Sequence, residues 1–269
     1  MAVEFPISVY GLTRQYERVK IADAVIVADT NPIGGTIFYI DNTADGTYEF
    51  YDTDGNVIEN VQVGDRPYAY KVVTPGTKDR YYVYHDELYE GRWTYYKNSS
   101  YVEEGLGTLT GIGSGKTNTE TVMTKDNGAY IAADSNGIPT IWYQLQQARS
   151  AKVGGCVDWF VPSRDEAGEL RKAIGFRTVP DSASPVILPA GKVTGGVIAG
   201  TADGQAHYIT NSGTETHTCY PSATKFLDTN MWSSSEDGYY AFYWKPIAQA
   251  WVSLQGKEPA FSVFFTRAF

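Results

Sequence analysis

Four groups of residues in this chain have types and spacings that invite a chemical interpretation. Gly111 to Thr117 (GIGSGKT) is similar to a phosphate-binding loop, in which backbone N–H groups and a lysine hold phosphate oxygens. That motif requires a glycine five positions before Gly115, where this chain has Thr110, and no convincing apolar strand precedes it. We therefore interpret the segment as a glycine-rich turn before a helix.

The acidic turn that begins at Asp52 has some features of a calcium-binding loop. Such a loop places glycine at its sixth position and glutamate at its twelfth, and neither Gly55 nor Glu59 fits that spacing. An Asp-Gly pair between two apolar runs is instead typical of a β-hairpin turn. The hairpin is the preferred interpretation.

Cysteine and histidine residues could supply zinc ligands, but their grouping is poor. Structural zinc sites pair ligands two to four residues apart at both ends. His217 and Cys219 form one such pair, whereas Cys156 has no near partner and His207 stands apart. The sequence predicts no metal site, and free buried thiols are favoured over a disulfide between the two cysteines.

His85, Asp86 and Glu87 form the one cluster suited to acid–base chemistry, and a surface turn at a strand end explains all three. No serine or cysteine lies in a nucleophile motif such as Gly-x-Ser-x-Gly. We therefore predict no catalytic residue and no cofactor, and a protein that is not an enzyme.

The composition of the chain limits the classes of partner that it could bind. The formal net charge of −9 argues against a nucleic acid and against an anionic membrane surface. No window approaches the ~20 apolar residues of a membrane helix, and the first residues do not resemble a signal peptide. We expect no membrane insertion and no secretory export. The 21 tyrosines suit both strands and rigid contact surfaces.

The elements that must position these residues begin as β structure. Residues 1–30 are predicted to form an N-terminal arm, with Arg14 to Ala28 as a short helix running into a strand. A β-meander then follows, because β-branched and aromatic runs alternate with turn residues. Its predicted strands are Thr36–Ile40, Tyr48–Tyr51, Val57–Val61, Tyr68–Val73, Arg80–His85 and Arg92–Tyr96.

The second half of the chain predicts helices. A short helix is expected from Asn118 to Lys125, and a longer one from Ile141 to Lys152 that two glycines terminate. Ser163 and Glu166 have capping-box spacing and open a helix that runs to about Ile174, with Ala167 and Leu170 on its apolar face. Residues 178–230 predict mixed strand and turn structure, with runs at 185–189 and 204–209.

Five motifs in a fixed order resemble the C-type-lectin-fold variable proteins of diversity-generating retroelements, including phage and prophage receptor-binding proteins of the tropism-determinant type. Any one motif is weakly specific. The matching segments are Gly34–Asp41, Gly113–Thr119, Asp158–Ser163 with Glu166 and Glu169–Leu170, Trp232–Glu236 (WSSSE), and the ending Phe265–Phe269.

The resemblance implies an α+β, C-type lectin-like fold of two helices with antiparallel sheets, in which the first and last strands pair. The fold would cover 31–269, with 48–104 as an additional β-rich insertion or subdomain. It also implies a phage tail fibre or a related virion location, with host cytoplasm before assembly. A protein or glycan surface receptor is the implied partner, and a homotrimer would suit a fibre.

The displayed face implied by the resemblance lies between Asp237 and about Lys257, where family members are diversified by adenine-specific mutagenesis. This chain departs from the pattern, because that segment has no asparagine, whereas unmutated templates are rich in it. The ending also has Phe264 and Phe265 where relatives often carry Val-Arg repeats. The protein is then either diversified or a non-diversifying relative.

The aromatic residues of the last stretch must divide between core and surface. Our predicted core residues are Trp232, Trp251, Phe261, Val263 and Phe265. Interfaces favour tyrosine, tryptophan and arginine, and clustered rings cannot all face inward. The predicted ligand-binding residues are Asp237, Tyr239, Tyr240, Phe242, Tyr243, Trp244, Lys245, Gln249, Trp251, Ser253, Gln255 and Lys257.

Two alternative functions remain open at this point. A calcium-dependent sugar lectin requires a Glu-Pro-Asn type of loop, whereas Glu258 and Pro259 are followed here by Ala260. A formylglycine-generating-enzyme-like oxidase shares the implied fold and requires a reactive cysteine pair, for which Cys156 and Cys219 are the only candidates.

Overall fold

The computed structural model describes residues 27–173, 195–198, 206–209, 216–219, 230–245, 250–253 and 256–269. Within that part of the chain the protein is α+β, with three α-helices and sheets whose strands pair mostly antiparallel. The helices are α1 (Gly115–Thr124), α2 (Ile141–Ser150) and α3 (Arg164–Ala173). The strands are β1 (Asn31–Pro32), β2 (Thr36–Ile40), β3 (Thr47–Tyr51), β4 (Val57–Ile58), β5 (Ala69–Thr74), β6 (Tyr81–Arg92), β7 (Tyr96–Lys97), β8 (Ser100–Tyr101), β9 (Gly195–Ile198), β10 (Ala206–Ile209), β11 (Thr216–Cys219), β12 (Met231–Asp237), β13 (Tyr240–Lys245), β14 (Ala250–Val252) and β15 (Ala260–Ala268).

A six-stranded sheet, in the order β14-β13-β12-β15-β6-β2, forms the centre of the described structure. Its longest strands, β6 and β15, pair antiparallel from Ala260 opposite Arg92 to Ala268 opposite Tyr82. Strand β12 runs parallel to β15. Because β6 lies between β2 and β15, the expected direct pairing of the first strand with the closing strand is wrong.

Helices pack on both faces of this sheet, and this explains why β15 is buried along nearly its whole length rather than at alternate residues. On one face, the α3 side chains share a core with Phe264 and Trp244. On the other face, α1 and α2 share a core with Trp232, Val263 and Phe265. Successive residues of β13 and β15 therefore enter different cores.

Side-chain caps set the starts of two helices. In the predicted capping box of α3, Ser163 N donates to Glu166 Oε2 (2.7 Å) and Glu166 N donates to Ser163 Oγ (3.3 Å). The same carboxylate accepts from Gly113 N (2.8 Å), so it joins the loop before α1 to the start of α3. Thr140 caps α2 by accepting from Tyr143 N at 3.1 Å. The capping-box prediction is confirmed.

A second sheet, in the order β1-β5-β3-β4, carries the predicted hairpin turn. Strands β3 and β4 pair antiparallel, and Asp52 between them accepts from the backbone N–H groups of Asp54 (2.9 Å) and Asn56 (2.9 Å). Phe50 of β3 shares a buried cluster with Val83 of β6. The second sheet therefore packs on the central sheet.

The predicted β-rich insertion at 48–104 is divided between these two sheets. It supplies β3 from residue 48 onward, β4 and β5 to the second sheet, whereas its strand β6 runs through the central sheet. The strand predicted at Arg80–His85 is longer in the structure, because β6 continues for 12 residues to Arg92. Of the strand predicted at Arg92–Tyr96, only the two end residues lie in strands, Arg92 in β6 and Tyr96 in β7. An irregular register opposite Phe265 accommodates the polar residues of β6. The division of the chain at residue 31 stays a prediction.

The remaining helices and strands differ from the sequence predictions mainly in where they begin and end. Helix α1 begins at Gly115, before its predicted start, and α2 ends at Ser150, ahead of a short turn at Val153–Gly155. A third sheet, β11-β10-β9, is described through its backbone and overlaps the predicted run at 204–209. The helix predicted from Arg14, apart from its last two residues, and the run at 185–189 lie outside the described residues. In the described part, no helix has both the length and the apolarity to span a membrane.

Candidate functional site

Strands β12 and β13 form a hairpin with a two-residue turn, Gly238 and Tyr239, between the paired residues Asp237 and Tyr240. Gly238 has a φ of 61°, and Tyr239 is not among the residues of positive φ, a combination that fits a type II′ turn. Tyr239 is 65% exposed and Tyr240 is 43% exposed. We call residues 237–240 the tip of the hairpin.

The residues before the tip, Ser233 to Glu236, are all buried, and we call them the root. The register between β12 and β13 breaks between Trp232 and Glu236, so the serines bond outside the ladder. Ser233 Oγ donates to the carbonyl of Phe242 (3.0 Å), and the Ser233 carbonyl accepts from Trp93 Nε1 (2.9 Å). The root thus uses polar groups to contact its neighbours.

The other two serines bind the loops that surround the root. Ser234 N donates to the carbonyl of Pro162 at 2.8 Å. Ser235 Oγ donates to the carbonyl of Leu109 (2.6 Å) and accepts from Arg164 N (2.9 Å). These bonds attach the loop before α1 and the start of α3 to the same short stretch of β12.

Glu236 completes the root as half of a buried ion pair. Lys257 Nζ contacts Glu236 Oε1 and also donates to the carbonyl of Glu104 at 2.5 Å. The other oxygen, Oε2, accepts from Leu106 N (2.8 Å) and from Thr108 Oγ1 (3.2 Å). Both charges are therefore hydrogen-bonded as well as paired, which a buried pair requires.

Lys257 is fully buried beneath Trp93, with Nζ 4.3 Å from the ring centroid. Its carbonyl accepts from the backbone N–H groups of Trp93 (3.1 Å) and Thr94 (3.3 Å). Burial lowers the pKa of Lys257, and the carboxylate of Glu236 opposes that shift. Lys257 fixes the chain after β14 against the root.

The exposed side of the hairpin lies beside the start of α3. The Arg164 guanidinium lies 5.2 Å from the ring centroid of Phe242 and pairs with Asp165 at 2.8 Å. Ser253, after β14, donates to Asp237 at 3.1 Å. We call this exposed or partly exposed set the hairpin face: Leu109, Arg164, Asp165, Asp237, Tyr239, Tyr240, Phe242 and Ser253.

The hairpin face combines exposed apolar area with a few polar groups. Two exposed tyrosine rings and an exposed Leu109 (63%) offer apolar area, while Asp237 and Arg164 offer charge and hydrogen bonds. Rigid aromatic rings next to a few polar groups are typical of protein recognition surfaces. Its support is rigid because the root beneath it is buried and hydrogen-bonded throughout.

Three of the predicted ligand-binding residues are buried, so their assignment to an exposed face is corrected. Tyr243 is 2% exposed and packs on Trp232, and Trp244 is 3% exposed beneath Arg171, with the guanidinium 3.8 Å from its ring centroid. Lys257 lies in the root. Since helices cover both faces of the sheet, Tyr243 and Trp244 of β13 do not emerge at the surface.

The other predicted ligand-binding residues divide into three groups. Asp237, Tyr239, Tyr240, Phe242 and Ser253 lie together on the hairpin face. Trp251 is partly buried against Trp244, with 5.9 Å between ring centroids. The side chain of Lys245 and the residues Gln249 and Gln255 lie outside the part that the structure describes.

The predicted core residues are placed more accurately. Trp232, Val263 and Phe265 are fully buried, as predicted. Phe261 is partly buried and packs on Trp232, with 4.6 Å between ring centroids. Trp251, which we assigned to both groups, is also partly buried. Core and surface therefore separate by element rather than by residue type.

Sequence reasoning missed the contribution of two other segments to the face. Leu109 and the Arg164–Asp165 pair come from the loop before α1 and from the first turn of α3. The sequence did contain a signal for the position of Arg164 in its helix, because Ser163 and Glu166 predict a helix that starts there. Its proximity to Phe242 depends on tertiary packing and has no local signature.

The other chemical candidates have structural explanations. Gly111 to Ser114 form a turn in which Ser114 Oγ donates to the Gly111 carbonyl at 2.5 Å. Cys156 is a buried free thiol whose pKa burial raises to about 11. Burial lowers the pKa of His85 to about 4. Among the described residues, no group of three or more His, Cys, Asp or Glu side chains could hold a metal ion.

One cavity, of about 670 Å³, lies between β1, β5 and the glycine turn after α2, and its size is that of a small-molecule pocket. Gly34 and Gly155 form part of its wall. Its charged lining residues are already used, because Arg66 pairs with Asp86 and Asp52 bonds within its own turn. The hairpin face remains the stronger candidate site.

Comparison with known proteins finds no matching family model, no matching curated protein and no matching solved structure.

Proposed function

We propose that the protein is a non-enzymatic binding protein that recognises a receptor on another surface through the hairpin face. The single observation that carries this proposal is the pair of exposed rings, Tyr239 and Tyr240, at the tip of a hairpin whose root is buried and fully bonded. Two exposed rings in a row do not stabilise the fold as buried ones would, since burying such a ring contributes about 2–3 kcal/mol to the free energy of unfolding. A binding role supplies a reason for their exposure.

The motif order supports a C-type lectin-like scaffold of the variable-protein type, encoded by a phage or prophage. In that proposal the WSSSE segment is the fixed support and the tip is the displayed part. Among the described residues from Asp237 to Lys257, those open to variation have no packing role: Asp237, Tyr239, Tyr240 and Ser253. Substitution of Trp244 or Lys257 would disturb the core instead.

The first experiment reads the DNA next to this coding sequence. A reverse transcriptase gene and an imperfect repeat of the segment that encodes 231–269 would support diversification. Differences between the repeat and the coding segment should fall on codons for exposed residues of the tip. Invariance of the segment across many isolates, with no repeat nearby, would remove diversification from the proposal and leave the binding role.

The second experiment tests binding. The purified chain is presented with a displayed random-peptide library and with an array of bacterial surface glycans. We expect binders whose affinity falls at least about tenfold for the double variant Tyr239→Ala/Tyr240→Ala. The matched control is Tyr96→Ala, which removes an exposed ring (41%) from the β7–β8 hairpin. Binders that respond equally to both variants, or no binders at all, would contradict a binding site at the hairpin face.

No observation in the described residues favours the alternatives. A calcium-dependent lectin needs a set of carboxylate ligands, and the described residues contain no suitable group. An oxidase of the formylglycine-generating type needs a reactive thiol, whereas Cys156 is buried and its raised pKa keeps it protonated near neutral pH. Calorimetry with calcium and a sugar panel would test the first alternative, and a Cys219→Ser variant would test the second.

A further inference from the structure

Exposed carboxylates lie around the tip. Asp237 is exposed directly beside the two tyrosines. The exposed Glu103 and the partly exposed Glu258, whose Oε2 is buried, both approach Gly256, where an added Cβ would collide with a carboxylate oxygen of each. The chain next to Glu103 lies against the turn, because a Cβ on Gly105 would be 2.8 Å from the carbonyl oxygen of Gly238.

Three cations near the tip are already neutralised by carboxylates. Arg164 pairs with Asp165 and stacks on Phe242. Lys257 is buried against Glu236. Lys125 pairs with Glu104 at 3.4 Å. With a formal net charge of −9 for the whole chain, the surface around the two rings presents a negative potential.

Exposed tyrosine faces and carboxylates attract the same chemical group. The π face of a tyrosine ring attracts a guanidinium or an ammonium, and a neighbouring carboxylate forms an ion pair with it. An acidic partner would instead place like charges together, which is unfavourable. The charge and ring arrangement therefore complement a basic surface.

We propose that the partner of the hairpin face is a protein that presents lysine or arginine side chains against Tyr239, Tyr240 and Asp237. The inference rests on the proposed binding function and adds the chemistry of the partner to it. A glycan without positive charge cannot form an ion pair with the carboxylates, so we do not propose one as the partner. Binding of such a glycan is one of the outcomes that the test distinguishes.

The test uses the full chain and three peptides of equal length: alternating glycine–arginine, its neutral citrulline counterpart, and a glycine–glutamate counterpart. Their dissociation constants are measured by fluorescence anisotropy at about 50 and 200 mM salt, where exposed ion pairs are screened to different extents. We expect the arginine peptide to bind at least about tenfold more tightly than the other two, and to weaken with salt.

Matched variants locate the binding. Asp237→Asn and Tyr239→Ala/Tyr240→Ala should each weaken the binding of the arginine peptide severalfold. Asp54→Asn removes the same charge from the exposed β3–β4 turn, and Tyr96→Ala removes an exposed ring elsewhere, so both should leave the affinity unchanged. Equal losses for Asp237→Asn and Asp54→Asn would show a diffuse charge effect and overturn the inference.

The library selection separates this inference from the function on which it rests. Peptides that depend on the hairpin face and are enriched in arginine and lysine would support both. Face-dependent binders that are neutral or acidic, or face-dependent glycans, would overturn the basic partner while the binding function stands. A selection with no face-dependent binder would remove the function itself.

Discussion

The root and the tip of the β12–β13 hairpin are adjacent in the chain but differ in how they use polar and aromatic residues. The root, Ser233 to Glu236, buries every residue and bonds to loops that are distant in sequence. The tip, 237–240, exposes two tyrosines that make no contribution to either core. The contrast indicates that the polar motif is the structural part and the aromatic tip is the part free to bind.

The largest effect is expected from a variant that breaks the buried ion pair of the root. Lys257→Met leaves the Glu236 carboxylate buried without its partner, and we expect a loss of about 3–5 kcal/mol in the free energy of unfolding. Chemical denaturation measures it. The double variant Glu236→Gln/Lys257→Met removes both charges and should recover part of the loss. A Lys257→Met chain as stable as wild type would show that the root is not the support of the hairpin.

A pH titration extends the comparison to a second basic group, His85, which is half-buried and, unlike Lys257, has no ion-pair partner among the described side chains. Burial lowers the pKa of His85 to about 4 from its ordinary 6.5, with Arg66 adding to the shift. The unfolded chain takes up a proton below about pH 6.5, whereas the folded chain does so only near pH 4. Stability should therefore fall as the pH is lowered through that window, by at most about 3 kcal/mol.

His85→Gln should flatten this dependence between about pH 6.5 and 4, as measured by thermal unfolding at several pH values. Bonds to Lys78 and Thr43 lower the pKa of Asp41 to about 2 in the folded chain, so this carboxylate affects stability only near pH 4 and below, where the unfolded chain takes up its proton. An unchanged slope in the variant would contradict a neutral buried His85.

A smaller effect is expected from the backbone of the tip. Gly238→Ala places a Cβ at a φ of 61°, and although no atom lies within 4 Å, the left-handed conformation should cost about 1 kcal/mol. Gly111→Ala is the matched control, since it also has open space but no positive φ. Equal stabilities for the two variants would mean that the tip does not require its turn glycine.

The smallest effect on stability should come from the tyrosines themselves. Tyr239→Ala/Tyr240→Ala removes exposed rings, so the free energy of unfolding should change by less than about 0.5 kcal/mol per residue. Circular dichroism and thermal unfolding check this. A large loss of stability would place these rings in the structural part and reverse the distinction between root and tip.

The sequence predicts local features well, and the structure shows why. The Ser163–Glu166 capping box and the turn at Asp52 to Asn56 depend on residues within a few positions of one another, and both are confirmed. The sequence predicts that strand β6 ends at His85, because Asp86 and Glu87 look like a surface turn, whereas β6 continues to Arg92. Their accommodation depends on an irregular pairing with β15, which no local pattern shows.

The predictions for the candidate site divide in the same way into correct and incorrect ones. Asp237, Tyr239 and Tyr240 were correctly placed on the surface, because a glycine turn favours exposure of its neighbours. Tyr243 and Trp244 were not, since alternation cannot distinguish inside from outside when both faces of a sheet are covered. Lys257 was interpreted as an exposed polar residue because lysine is rarely buried unless it is paired, and its partner Glu236 is 21 residues away.

The position of β6 between β2 and β15 has a consequence for the order of folding. Residues 81–92 acquire their second neighbour only when 260–268 are available, so the sheet joins segments that lie far apart in the chain. During synthesis from the N-terminus, one edge of β6 stays open until nearly all of the described chain has been made. Such long-range pairing slows folding and exposes the nascent chain to aggregation. Refolding should accordingly be slow relative to helical proteins of similar size.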